Sequence, residues 1–101
     1  MNESDDTRRR NLFSCAKYGK LDKLKLLVEH GYDIHIEEDR ILIEACSNGQ
    51  LEVVKYLIKH GADVHAWGGD AFFWADRKGH KDVLECLKRQ IRLERLKEHL
   101  D

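Results

Sequence analysis

The chain has 101 residues, 42% hydrophobic and 37% charged, with 18 Lys plus Arg against 19 Asp plus Glu and no proline. This suits one charged, mostly helical domain over residues 1–101, and the near-neutral balance gives no overall field for gathering nucleic acid or an anionic membrane. No apolar run reaches the roughly 20 residues of a membrane span, and the polar start "MNESDDTRRRN" is unlike a signal peptide, so no membrane association and a cytoplasmic location are expected.

The first predicted helix opens near the N-terminus, where Asp6 or Thr7 can cap it, and closes at Gly19. A second follows in "LDKLKLLVEHGYDIHI", Leu21 to Ile36. Thirty residues on, "LEVVKYLIKHGADVHA", Leu51 to Ala66, repeats that stretch. Under the same shift Leu12, Gly19, Leu24, Leu27, His30, Gly31, Asp33 and His35 meet Leu42, Gly49, Val54, Leu57, His60, Gly61, Asp63 and His65. In this second unit Leu42, Ile43, Ala45 and Cys46 have helical spacing and include small residues for close packing. "SNG" ends that helix, with Gly49 taking the positive φ of a helix terminus, as Gly19 and Gly79 do in their units. Val53, Val54, Leu57 and Ile58 then form an apolar stripe, with Glu52, Lys55 and Lys59 on the wet side. "ADVHAWGGD" reads as an extended turn.

A second shift places Leu42, Ile43, Ala45, Gly49, Val53, Val54 and Leu57 on Phe72, Phe73, Ala75, Gly79, Val83, Leu84 and Leu87, and fails where Gly61 meets Ile91. The units are therefore about 10–38, 39–68 and 69–90, followed by a helical extension over 91–101. With no glycine at position 91, the last helix is expected to run on to about His99. At about 100° per residue, Leu84, Leu87 and Ile91 share one stripe, while Leu93, Leu96 and Leu100 fall nearly opposite. Either the helix bends, or the second stripe binds something. Leu93, Leu96 and Leu100 are therefore the self-association candidates.

The stretch "LIEACSNGQLEVVKYLIKHGADV" resembles the ankyrin repeat, whose pattern of a small-residue first helix, a glycine, a Val-Val-x-Leu-Leu second helix and a Gly-Ala-Asp-Val exit it matches almost position by position. The resemblance covers Arg10 to about Lys88 and implies an all-α solenoid of helix-turn-helix repeats, about three units long, with an extended C-terminal helix. Two departures stand out: "RILI" and "DAFF" replace the usual threonine-proline-leucine-histidine start, and the period is 30 rather than 33. The family's projecting β-hairpin should thus be shortened, as in ankyrin proteins of large DNA viruses and other pathogens. One helix pair cannot bury its own apolar face, which explains the duplication: units stack, and about three are the minimum.

No catalytic or metal-binding residue is assigned and no cofactor is expected. His30/His60 and His35/His65 are repeat copies, expected to hydrogen-bond the loops between units. Cys15, Cys46 and Cys86 lack CxxC spacing and fall on faces expected inside, where a thiol acts as a small apolar group. The acids Glu37, Glu38 and Asp39 lie in a loop without basic company in the sequence, and no nucleophile or phosphate-loop motif is present, so no enzymatic activity or small-molecule substrate is expected.

The resemblance implies binding of another protein through the first helices and inter-repeat loops, which line a concave face, in the manner of a small adaptor or inhibitor, here of a viral or phage protein blocking a host factor in the host cytoplasm. The candidate contact residues are Tyr18, Arg40, Glu44, Asn48, Trp67, Trp74, Arg77 and Lys78. Trp, Tyr and Arg are the residues most enriched at hot spots. The alternative for the tryptophans is that Trp67 folds over the shortened loop and Trp74 packs on unit two. The alternative for the protein is a monomer or weak homo-oligomer assembling through the C-terminal helix. Nucleic-acid binding through Arg8, Arg9, Arg10 or the segment from Lys88 to Lys97 is disfavoured by the interleaved Glu94, Glu98 and Asp101.

Overall fold

The computed structural model describes residues 4–100; residues 1–3 and Asp101, part of the expected 1–101 domain, lie outside the described residues. Six helices follow one another: α1 Asp5–Tyr18, α2 Leu21–Glu29, α3 Ile36–Ser47, α4 Leu51–Lys59, α5 Ala66–Arg77 and α6 Lys81–Leu100. Among the described residues there is no strand. They form three pairs in a row. The first helices stack α1 on α3 on α5, and the second helices stack α2 on α4 on α6.

The core is the apolar periodicity made solid. Leu12, Cys15, Ala16 and Leu24 of unit one, Ile41, Leu42, Ala45, Cys46, Val53, Val54 and Leu57 of unit two, and Ala71, Ala75, Val83 and Leu87 of unit three are all buried. Alanine and cysteine at the repeated positions let the first helices approach closely. Each first helix ends the same way: Gly19, Gly49 and Gly79 have φ of 69°, 69° and 76°. The following amides of Lys20, Gln50 and His80 reach back to the carbonyls of Cys15, Ala45 and Ala75 at 2.9, 3.0 and 2.8 Å, satisfying carbonyls that a helix end would otherwise orphan.

Gly49 has a second duty. A Cβ built there would lie 2.6 Å from Nδ1 of His80, whose Nε2 donates to the carbonyl of Ser47 at 3.1 Å. One unit earlier Gln50 plays the same part, its Nε2 donating to the carbonyl of Lys17 at 2.9 Å beside Gly19. Around Gly79 there is open space: among the described residues no atom lies within 4 Å of a Cβ built there.

Three expectations are corrected. The N-cap of α1 is Ser4, whose hydroxyl accepts from the Thr7 amide at 3.2 Å, and not Asp6 or Thr7; Asp5 and Asp6 instead occupy the first turn, where their charge meets the positive helix end. The expected extended turn is a left-handed one: Trp67, Gly68 and Gly69 all have positive φ, as do Glu37, Glu38 and Asp39 one unit earlier. The last helix runs on past Ile91, as expected. Its backbone stays helical from Lys81 to Leu100, leaving Leu93, Leu96 and Leu100 on the outside at 48%, 56% and 84% exposure. Cys86, expected inside, is only partly buried, because it lines the open groove between α4 and α6.

Candidate partner-binding surface

The 30-residue period aligns equivalent side chains along the stack of first helices. One row runs Ser14, Glu44, Trp74, and a second runs Tyr18, Asn48, Lys78. Tyr18 is exposed, with the Lys17 ammonium 5.4 Å from its ring centre. Glu44 and Asn48 are half-buried, and the Asn48 side-chain amide donates to the backbone carbonyl of Glu44 at 2.8 Å, closing the end of α3. Asn48 therefore offers its carbonyl oxygen more readily than its amide.

The turns between units form the second part. A non-glycine residue in the left-handed region costs on the order of 1 kcal/mol or more, yet Glu37, Glu38, Asp39 and Trp67 all adopt it. Tertiary bonds hold three of the four. Glu37 pairs with Arg9 of α1. Asp39 bonds the His35 ring with one carboxylate oxygen and accepts the Asp63 amide at 3.0 Å with the other. The Trp67 indole N–H donates to the carbonyl of Glu37 at 3.2 Å, clipping successive turns together. The acids thus do have basic company: Arg40 follows them directly in the chain, and Arg9 of α1 pairs with Glu37. The Arg9 hydrogen bond holds the exposed Glu37 carboxyl below its ordinary range, and Glu37 in turn holds Arg9 above its own.

Both readings of Trp67 meet in this geometry. Its N–H is committed to the turn, while the ring remains 46% exposed with the Arg40 guanidinium stacked 5.0 Å from its centre. Arg40 and Trp67 form one unit of surface. On unit three, Trp74 is 36% exposed and meets Phe73 edge to face at 5.1 Å. Arg77 lies 5.8 Å over Phe73, and Lys78 lies 6.0 Å over Trp74. Trp74, Arg77 and Lys78 are thereby brought together. Two participants, Phe73 and Arg9, had no signal in the local sequence: Phe73 occupies the place of buried Ile43, and Arg9 is linked to its turn only through space.

The histidines divide by role. His30 donates through Nδ1 to the Leu26 carbonyl of its own helix at 2.8 Å, and His60 stacks on Tyr56 at 4.3 Å. His65 bonds Glu94 of α6 at 3.0 Å. His35 serves an inter-unit loop through Asp39, and His80, like His65, bonds directly from one unit to the next. Among the described residues, no group of three or more His, Cys, Asp or Glu could hold a metal ion, and no helix is long and apolar enough to cross a membrane.

Burial pushes the Cys46 thiol up to about 12 and raises Cys15 and Cys86 as well. At pH 7 only on the order of 1 in 10⁵ Cys46 side chains is thiolate, the reactive form. An aromatic disulfide reagent should therefore label native protein first at Cys86. Cys15 and Cys46 should react only after denaturant is added, and labelling of Cys46 at the Cys86 rate would contradict this core.

A family model described as ankyrin repeats, in three copies, matches residues 5–95 of the chain. No curated protein matches it.

Proposed function

The chain belongs to the ankyrin repeat family, whose repeats are protein-protein interaction modules, and from that premise we propose that it is a small adaptor or inhibitor that holds one partner protein against the concave side of its stack. The observation that supports this reading is the grouping of half-exposed aromatic rings with cationic side chains: Arg40 on Trp67, and Trp74 with Phe73, Arg77 and Lys78. Trp, Tyr and Arg dominate binding energy when a partner desolvates them, and rings already stacked lose little side-chain freedom on binding.

In this proposal Trp74 and Trp67 are the anchors. Tyr18 extends the surface to unit one, and Arg40, Arg77 and Lys78 supply charge-assisted hydrogen bonds. Glu44 and Asn48 add polar contacts between them. The short-period, proline-free repeats suit a viral protein that occupies a host factor. Such a protein acts by blocking or recruiting its partner.

The test is capture of partners from lysate of the source or host cell, identification by mass spectrometry, and measurement of affinity with the purified partner. Trp74→Ala should weaken binding by about 30-fold or more, a hot-spot effect, and leave the helical signal and melting curve nearly unchanged. Leu93→Ala, on the far helix, should bind that partner like the wild type. A partner lost from Leu93→Ala but kept by Trp74→Ala would move the function off the concave face.

A further inference from the structure

The long α6 carries a surface that the concave-face reading does not use. Ile58 of α4 with Cys86 and Leu93 of α6 floors a groove of about 230 Å³. It continues at Gln90 and Leu93 into a second stretch of about 390 Å³ bordered by Leu96 and Leu100. On α6 the seam runs Cys86, Leu93, Leu96, Leu100. These fall within about 80° of one another on the helix and span roughly 21 Å of its length. Leu93, Leu96 and Leu100 are the residues already described as outward-facing.

Charge says what covers the seam. Arg89 stands within the seam, and Lys59 of α4 with Arg92 and Lys97 of α6 stand beside it. Among the described residues none of these four forms an ion pair, whereas Lys55 and Lys88 are taken by Glu52 and Glu85. Of the acids of α6, Asp82 and Glu85 line only the N-terminal end of the groove, with Glu85 paired to Lys88; Glu94 borders the second stretch but is bonded to His65, and Glu98 lies on the opposite side of the helix at 100° per residue. A second copy is a poorer occupant: laid seam to seam in parallel, two α6 helices would set Arg89, Arg92 and Lys97 against their own copies, and an antiparallel pair centred on Leu93 would set Arg89 against Lys97.

We propose that this groove is a second docking site that takes an amphipathic helix of another protein, one whose apolar seam is flanked by glutamate or aspartate. The mode is helix in groove, with leucine-type side chains filling the spaces along Leu93, Leu96 and Leu100 and acidic flanks pairing with Arg89, Arg92, Lys59 and Lys97. A ladder of unpaired cations beside an exposed leucine seam selects such a helix by attraction and rejects a basic one by repulsion. The site lies on α4 and α6, away from the first helices, so both surfaces can be occupied together.

The test uses the full chain and two labelled synthetic helices of about three heptads, both with leucine at a and d, one with glutamate and the other with lysine at e and g. Fluorescence anisotropy should show the glutamate helix binding at least about tenfold more tightly, with a preference that shrinks as salt rises. Arg89→Glu/Arg92→Glu should invert the preference. Leu93→Ala/Leu96→Ala, at exposed positions that preserve the melting curve, should abolish binding of both. Equal affinity for the two helices, or a preference that survives charge reversal, overturns the proposal. So does a concentration-dependent dimer that the leucine variant abolishes, which would make a second copy the occupant. Retention on phosphatidylserine vesicles or on nucleic acid by a protein that binds neither helix would also overturn it.

Discussion

Replacing Gly49 with valine should lower the unfolding free energy by about 3 to 5 kcal/mol, and replacing Gly79 with valine by only about 1 to 3 kcal/mol. Both glycines have positive φ, 69° and 76°, so both variants carry the strain of a β-branched residue in the left-handed region. They differ in what a side chain would strike. At Gly49 the new Cβ meets the His80 ring at 2.6 Å and displaces the side chain that donates to Ser47, so strain adds to a lost inter-unit hydrogen bond. At Gly79 it meets nothing within 4 Å. Urea denaturation measures both. Equal losses would mean that His80 contributes nothing to the joint between units two and three. A chain of this size commonly has about 5 to 15 kcal/mol in all, so Gly49→Val removes a large part of the margin.

A second pair of variants exploits the repeat itself. Ile43 and Phe73 occupy the same position of successive units, yet Ile43 is 6% exposed and Phe73 is 53% exposed. Ile43→Ala should cost about 2 to 5 kcal/mol, the range for large-to-small changes in a core that cannot fully collapse. Phe73→Ala removes more carbon but should cost under about 1 kcal/mol, because half of that ring already faces water. Melting should follow, with a drop of several degrees or more for Ile43→Ala and a change of a few degrees at most for Phe73→Ala. If Phe73→Ala were as damaging as Ile43→Ala, something would have to cover the trailing edge of unit three.

This pair also marks the boundary of what could be read in advance. Helix ends at Gly19, Gly49 and Gly79, the stripe of Val53, Val54 and Leu57, and the run of α6 past Ile91 are local signals, written in spacing and in one residue's φ. They appeared in the structure where the period put them. The left-handed turns at Glu37 and Trp67 are not legible in the sequence, where 37–39 read only as loop and "ADVHAWGGD" as an extended turn, because a glutamate or a tryptophan has no local reason to adopt positive φ. Arg9, from another helix and 28 positions away, supplies one reason, and the clip between Trp67 and the Glu37 carbonyl supplies another.

The candidate surface divides along the same line. That aromatic and basic residues would gather on the first helices and turns was visible in the row positions of Tyr18, Trp67, Trp74 and Arg77. That Arg40 stacks on Trp67, that Phe73 joins Trp74, and that Asn48 uses its amide on its own helix came only from side chains meeting in space.

The amino-acid sequence alone determined the number of units, their helix pairs, the family and the over-long last helix, because hydrophobic period and helix termination are set within a few residues. The tertiary structure alone decided which copy of a repeated position is buried, which charges are paired and which face remains open. Those properties depend on whether a neighbouring unit is present to cover the position, and an identical residue in an identical local pattern has one answer in the middle of a stack and another at its end.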